Sequence, residues 1–424
     1  MKIFPILIVW FLFAALSTGC VSIADDSALI HVEVSAESTD GVGAGCAGLP
    51  LCVAIELPEK FSRLPLHEIA ATVAPAGETG AALRAQLECC RDGKIWLWWV
   101  TDRAAPSKRT QWVVTLDRGL PLESRPAGAG FGFSWRDRAG EHIDLLLDGR
   151  GALRTMYAHD RSTPERLHET YKVYHHVFDE AGQNTLTKGP GGLYTHHRGL
   201  FIGWNRLTID GVEGDWWHMK GVSQQLREFV SNVAGPVWAR SVMAIDWVDG
   251  AGRTVIAENR SITAYRQPEP GLLLIDFRTR LRAAAGEVYL NGDPEHAGFQ
   301  FRAHNDVAEG GESVKAAYLF HRDGVDPKKD FDLPWAGMNI GLHGKRYAVQ
   351  YMNHPDNPTP TVYSAYRDYG RFGSYFKKKI PAGETLELRY RVYVGTGATP
   401  GRDELARRYA AFVDPPTVKV VDGS

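Results

Sequence analysis

Cysteine is scarce in this sequence, with five in 424 residues, and none has a CxxC or Cys/His spacing typical of zinc sites. An excess of one charge is also absent, since 48 Lys and Arg face 50 Asp and Glu. Without a basic stripe, the chain is not expected to bind nucleic acid or an anionic membrane surface. No P-loop, dinucleotide-binding, GxSxG or HExxH motif occurs in a sequence context that supports it. This disfavours serine-triad hydrolysis and cofactor redox chemistry.

Long hydrophobic runs are absent except at the N-terminus. The run from Ile3 to Leu16 is too short to span a bilayer, and Ser22-Ile23-Ala24 is a small-x-small cleavage pattern. We therefore predict a signal peptide over 1–24 and an exported protein, periplasmic or extracellular, with no membrane span. The imperfect lipobox that ends at Cys20 leaves a lipid-anchored form as an alternative.

Glycine (44) and tryptophan (12) are plentiful, as in turn-rich β proteins with aromatic platforms. Short segments in which apolar and polar residues alternate, separated by turns, fill 25–120. Longer segments of this kind, such as Thr385–Val394, come after the Pro/Gly/Ser-rich stretch at 121–130. Only Arg402–Phe412 has a helical pattern. We predict an all-β protein: a small β-sandwich over 25–120, a linker over 121–130, and a large antiparallel β-sandwich over 131–424 with a short C-terminal helix.

A glycine-rich stretch, Gly189–Leu200, contains His196, His197 and Arg198. The glycines favour a loop, in which both imidazoles can converge on one cleft. Histidine serves as acid, base or metal ligand near neutral pH, and the Arg198 guanidinium can hold a carboxylate or sugar hydroxyls. We predict catalytic roles for the histidines and substrate binding for the arginine. One buried and one exposed histidine is the alternative.

The segment Asp215-Trp216-Trp217-His218 follows after one short strand. In a turn, the carboxylate of Asp215 can orient the imidazole of His218, for which we predict a catalytic role. Trp216 and Trp217 can stack on the apolar face of a sugar ring or fill the core. Asp215 and both tryptophans are assigned to substrate binding.

Two later loops contain similar residue types. Glu295, in Asp293–Gly298, is the best single candidate for a general acid or base. His354 lies in a proline-rich loop that precedes a second polar group. Further substrate-binding candidates from these segments are His354, Arg367, Asp368 and Tyr369.

The run from Tyr171 to Trp217, together with Asn353-His354-Pro355, Arg367-Asp368-Tyr369-Gly370 and Pro381-Ala382-Gly383-Glu384, resembles the PmoA-like family of secreted bacterial proteins. The family's occurrence in polysaccharide-degrading bacteria implies, by association, a role in glycan breakdown. Its name derives from a membrane-embedded methane oxygenase subunit, which a chain without later apolar runs does not match. Large sandwiches of the galactose-mutarotase and polysaccharide-lyase type offer a further analogy of fold.

These observations lead to an exported enzyme that acts on a plant or algal-type glycan, either by hydrolysis of a glycosidic bond or by lyase chemistry. One alternative is a metal-dependent enzyme with a divalent ion held by His196, His218 and His354. The other is a glycan-binding protein without catalysis. Substrate identity, disulfide pairing and oligomeric state do not follow from the sequence.

Overall fold

The computed structural model describes residues 27–35, 47–78, 81–103, 109–119 and 132–421. The predicted signal peptide, Cys20 and the predicted linker over 121–130 lie outside the described residues. Strands dominate these ranges, and the all-β prediction is confirmed.

The first half of the described chain contains short and medium strands. They are β1 (Ala28–Ser35), β2 (Pro50–Ile55), β3 (Ile69–Pro75), β4 (Leu83–Cys89), β5 (Ile95–Val100), β6 (Arg109–Arg118), β7 (Phe133–Arg138), β8 (His142–Leu147), β9 (Arg150–Met156), β10 (Tyr174–Val177), β11 (Leu200–Trp204), β12 (Arg206–Ile209) and β13 (Val212–Gly214).

The second half contains the longest strands. They are β14 (Ser223–Ala234), β15 (Trp238–Val248), β16 (Thr254–Arg266), β17 (Gly271–Ala283), β18 (Val288–Asn291), β19 (Ala297–Arg302), β20 (Ala317–Phe320), β21 (Trp335–Leu342), β22 (Lys345–Asn353), β23 (Val362–Tyr363), β24 (Arg371–Tyr375), β25 (Lys378–Ile380), β26 (Thr385–Thr396) and β27 (Thr417–Val421). The α-helices are α1 (Pro164–Thr170), α2 (Asn305–Glu309) and α3 (Arg402–Val413), and 3-10 turns lie at Glu59–Phe61, Leu66–Glu68 and Glu312–Val314.

The N-terminal sheet has the strand order β2-β5-β4-β3-β6-β1-β27. Its edge strands β2 and β27 contact each other, so the sheet curls into a nearly closed barrel around its own core. Among the described residues, the last strand, β27, thus pairs with the first, β1, with Val34 opposite Val418. The predicted boundaries between domains remain predictions, but β27 lies in the sheet formed by residues 28–118.

Two eight-stranded antiparallel sheets form the large sandwich. We call β23-β24-β19-β11-β10-β9-β8-β7 the site sheet and β14-β15-β16-β17-β26-β22-β21-β20 the long sheet. Strand β17 shows why they pack: Phe277, Thr279 and Leu281 are buried, while the arginines between them are exposed. The Phe277 ring stacks on Phe299 of the site sheet, with 4.1 Å between centroids.

A third, small sheet of order β13-β12-β18-β25 lies beside the sandwich. Its strands alternate along the chain with those of the site sheet, because β12 follows β11 and β18 precedes β19. The loops between the two sheets therefore meet at one end of β11 and β19, where Trp204 pairs with Ala297.

A buried ion pair lies in the sandwich core. Arg260 and Glu258 both have fully buried side chains, and the Arg260 guanidinium donates to the Glu258 carboxylate at 2.8 and 3.0 Å. The same guanidinium donates to the Val173 carbonyl at 2.9 Å, while Trp247 and Thr279 donate to the carboxylate. Because both charged groups are paired and hydrogen-bonded, the network ties β16 to the segment before β10.

The predicted C-terminal helix is confirmed as α3, which packs through Leu405 and Phe412 on the outer face of the long sheet. Within the described ranges, no helix combines the length and the hydrophobicity that a membrane span requires.

We expect Glu258→Ala to lower the free energy of unfolding by about 3–5 kcal/mol, because it leaves a buried guanidinium without its counter-charge. Urea denaturation followed by tryptophan fluorescence measures the change. The matched control is Glu387→Ala, which removes the partner of Arg280 at a pair whose side chains are both more than half exposed and should cost less than about 1 kcal/mol. Equal losses in the two variants would contradict the expected role of the buried pair.

Candidate metal centre

The loop between β10 and β11 carries His196 and His197. The part that carries them follows Gly191 and Gly192, whose φ angles of 86° and 64° are those that glycine adopts without strain. A side chain at Gly192 would collide with Asn305. A turn follows, so the histidine pair lies in a loop, as the sequence predicts.

Two turns of the same pattern, Asp-x-x-His, lie opposite this loop. Asp215 Oδ2 accepts from His218 Nδ1 at 2.9 Å in the turn after β13. Asp293 Oδ1 accepts from His296 Nδ1 at 2.8 Å in the turn before β19. A carboxylate on Nδ1 fixes the tautomer that leaves Nε2 with a free lone pair, which is the form that binds a metal ion.

The rings of His196, His218 and His296 come together. The centroid of the His218 ring lies 4.4 Å from that of His196 and 5.0 Å from that of His296. One ring nitrogen from each residue lies within 4.8 Å of the other two. His196 Nε2 is buried without a hydrogen-bond partner, whereas the side chains of His218 and His296 are 25% and 29% exposed. Three imidazoles therefore converge at a place that solvent reaches from one side.

The electrostatic environment favours neutral imidazole at His196. Burial, together with the neighbouring His218 and Lys172, lowers the pKa of His196 to about 2. Burial alone would raise the pKa of Asp293, but the hydrogen bond and charge of His296 outweigh it and bring that pKa to about 2. The pKa of Asp215 is lowered in the same way by His218. At neutral pH the centre thus contains an imidazole lone pair at His196 and two ionised carboxylates.

Two buried cations hold the histidine-bearing segments together. Lys172 Nζ donates to the carbonyls of His196, at 2.9 Å, and of Trp217, at 2.5 Å. Arg302 Nη2 donates to the Glu295 carbonyl at 2.9 Å. Both cations lie near the ring of Trp217, at 5.8 and 5.2 Å from its centroid. One lysine therefore joins the first two segments, and one arginine fixes the third.

Arg198 is a structural residue in this arrangement. Its side chain is completely buried, and its guanidinium donates to the carbonyls of Thr195, His197 and His168 at 2.6–2.7 Å. It fixes the loop that carries His196, and it does not reach a surface where a substrate could bind, in contrast to the substrate-binding role predicted for it.

Trp216 and Trp217 are core residues, at 2% and 1% exposure. The Trp217 ring packs against Phe201 and against His296, with centroids 5.0 and 6.2 Å apart. Rings buried to this extent offer no face to a sugar, so the structure favours the core alternative over the predicted stacking.

Glu295 lies next to the centre as an ion-paired carboxylate. It accepts from Arg371 at 2.9 Å, from Arg367 at 3.0 Å and from the Tyr366 hydroxyl at 2.8 Å. The buried Arg371 is the main cause that holds the pKa of Glu295 well below its usual range. A carboxyl group that stays ionised is a poor general acid, and one with so low a pKa is also a weak general base, so this environment does not favour the acid or base role predicted for Glu295.

His197, Asp368 and Tyr369 lie on the same side of the centre as Arg367. His197 is buried; its ring stacks on Tyr194 at 4.9 Å and lies 4.5 Å from that of His196. Burial, and then Arg302, lowers the pKa of His197 well below its ordinary value. Tyr369 covers Tyr194, while Asp368 is exposed. Of these residues, Arg367 and Asp368 are exposed and accessible to a ligand, whereas the buried His197 packs against the ring of His196.

His354 does not join the predicted three-histidine set. Its ring packs against Phe412 of α3 at 5.1 Å, and its Nδ1 accepts from the Asp356 amide at 3.2 Å. The third histidine of the centre is His296, which the sequence interpretation passed over in favour of its neighbour Glu295. The repeated Asp-x-x-His pattern could have identified His296, whereas Lys172 and Arg302 carry no local signal of their role.

Residues 142–410, more than half of the chain, match the model of a family described as "Family of unknown function (DUF6807)". The chain belongs to this family. The resemblance to the PmoA-like family is therefore wrong: it rested on short motifs, several of whose residues, such as Arg198 and the paired tryptophans, serve the core. No curated protein matches the chain.

We expect Lys172→Met to lower the free energy of unfolding by about 1–3 kcal/mol, because it leaves two inward carbonyls without a donor. Chemical denaturation provides the measurement. Lys220→Met is the matched control, since that ammonium is 74% exposed and lies only 3.5 Å from the Asp215 carboxylate. A Lys172 variant as stable as the Lys220 variant would contradict the proposed joining of the two loops.

Proposed function

We propose that this member of the DUF6807 family is a metal-dependent enzyme whose divalent ion, most suitably zinc, is held by His196, His218 and His296. The observation that carries the proposal is the convergence of three imidazole nitrogens within 4.8 Å. Two of these rings are oriented by aspartates, as metal-binding histidines usually are. Three histidines leave a coordination position for water or substrate, which is the arrangement of catalytic rather than structural zinc.

Such an ion activates water and polarises a substrate oxygen. The chain's own residues supply the rest. Asp215 and Asp293 orient the ligands and offset the charge of the ion. Arg367, whose side chain is half exposed and held by Glu295, is placed to hold a hydroxyl or carboxylate of the substrate.

For the substrate we propose a carbohydrate, and for the reaction metal-assisted hydrolysis. Hydrolysis by two carboxyl groups requires one of them to have a raised pKa, and Glu295 has the opposite shift. A lyase reaction with a histidine base is less well supported, because of the two predicted bases His197 is buried and His196 is a proposed ligand of the ion. The exposed hydrogen-bonding groups of Arg367 and Asp368 support a polyhydroxylated substrate.

We expect the purified protein to bind one equivalent of zinc, because three imidazoles in fixed positions form a pre-organised site. Isothermal titration of chelator-treated protein with zinc chloride gives the stoichiometry, and cobalt substitution gives a visible spectrum that reports coordination by nitrogen.

His296→Ala should abolish stoichiometric binding. His343→Ala is the control, since its ring is 42% exposed and contacts Asp306 rather than the centre. The metal assignment fails if zinc does not bind, or if the His296 and His343 variants bind it equally.

We expect chelation to remove activity on a panel of plant and algal glycans, because the ion supplies the activated water. Product release, followed as new reducing ends or freed acyl groups, should return on addition of zinc. A protein that binds zinc in the predicted ratio but changes no glycan in the panel would argue against carbohydrate hydrolysis while leaving the metal centre intact.

A further inference from the structure

A cleft of about 580 Å³ separates the N-terminal sheet from the outer face of the long sheet. This volume is within the range of small-molecule sites in proteins. One wall comes from β5, and the other from β16, β17 and β26. The cleft is distinct from the histidine centre, which lies in loops between the site sheet and the small sheet.

The β5 wall is aromatic. Trp96 and Trp98 alternate with Leu97 and Trp99, which are fully buried in the N-terminal core. The period of two turns the first pair to the opposite face, where both rings line the cleft half-buried. Trp98 is fixed by an edge contact with Trp238, at 5.9 Å between centroids. A pyranose ring presents C–H groups that pack on an indole face in this way.

The opposite wall is polar and follows the register of the long sheet. Ser261 of β16 pairs with Arg278 of β17, and that arginine pairs with Arg389 of β26. Two arginines directly across from each other repel unless an anion compensates them. Arg389 has such a partner in Asp356, at 3.2 Å.

Arg278 differs from the other arginines of this wall. Arg240 pairs with Glu88, and Arg280 pairs with Glu387. In the part of the chain that the structure describes, the Arg278 guanidinium has neither an ion pair nor a hydrogen bond, and it is exposed. A planar guanidinium next to hydroxyl groups is suited to bidentate binding of a carboxylate or sulfate.

We propose that this cleft binds an acidic oligosaccharide, with a sugar ring on Trp96 and a carboxylate or sulfate group on Arg278. Ser261 and Asn259, on the same face of β16, donate hydrogen bonds to the hydroxyl groups of the sugar or accept hydrogen bonds from them. The site is independent of the metal centre, because no lining residue belongs to the histidine cluster. Binding therefore does not require the proposed enzymatic activity.

The test is isothermal titration of metal-free protein with three probes: oligogalacturonides, sulfated carrageenan oligosaccharides and neutral cello-oligosaccharides. We expect one or both acidic probes to bind and the neutral probe to bind at least about tenfold more weakly, the cost of one lost charged contact. Binding of only the first probe identifies a carboxylate ligand, and binding of only the second a sulfate ester. Trp96→Ala and Arg278→Gln should each weaken binding of the acidic probe by about tenfold or more.

Arg282→Gln is the matched control, since that residue is also an exposed arginine on the same face of β17 and does not line the cleft. A denaturation curve for each variant separates loss of the site from loss of the fold. The proposal is overturned if neither acidic probe binds, if the neutral probe binds equally well, or if the Arg278 and Arg282 variants have the same affinity.

Discussion

The candidate metal centre depends on buried cations that donate to loop carbonyls. A loop inside a fold must find donors for its backbone oxygens, because it lacks the ladder that a strand provides. Lys172 and Arg302 supply them near the ring of Trp217, and Arg198 adds three more bonds, to the carbonyls of Thr195, His197 and His168. The long side chains reach from the core, and their alkyl stems pack there as well. Three separate loops thereby acquire the fixed geometry that a three-histidine site needs.

These buried basic side chains create an electrostatic difficulty that the aspartates reduce. A divalent ion between the histidines would add positive charge to a region that already contains Lys172, Arg198 and Arg302. Asp215 and Asp293 lie behind two of the rings, each at hydrogen-bond distance from Nδ1, and their negative charges act through the imidazoles. Glu295 offsets part of the positive charge of Arg371 and Arg367 at the edge. The three carboxylates thus reduce the positive charge around the histidines without cancelling it.

Much of the fold follows from local pattern, whereas the centre follows only in part. Alternation of apolar and polar residues identifies long strands such as β17 and β26, and a helical spacing of apolar residues identifies α3. It misses β14, an edge strand whose register shifts twice, and β21, which is buried on nearly all its residues. The sequence points to His196 because a glycine-rich segment precedes it, and to His218 because Asp215 lies three residues before it. The third, His296, lies 78 residues beyond His218 and has an Asp-x-x-His pattern that His354 lacks. That the three loops meet at one point is a tertiary property, which no local pattern shows.

The family match covers the histidine centre completely but covers only part of the cleft. Residues 142–410 contain the whole histidine cluster with its aspartates and buried basic residues, so the proposed metal centre lies in the part shared with DUF6807. The cleft is composite, because Arg278 lies inside the match while Trp96 lies in the N-terminal sheet before it. A sheet that only covered the outer face of β16 and β17 would be expected to bury apolar surface there. Beside the apolar contact of Trp98 with Trp238, an exposed arginine, an exposed asparagine and a half-buried serine face half-buried indoles across an open cleft, a composition that favours a ligand site.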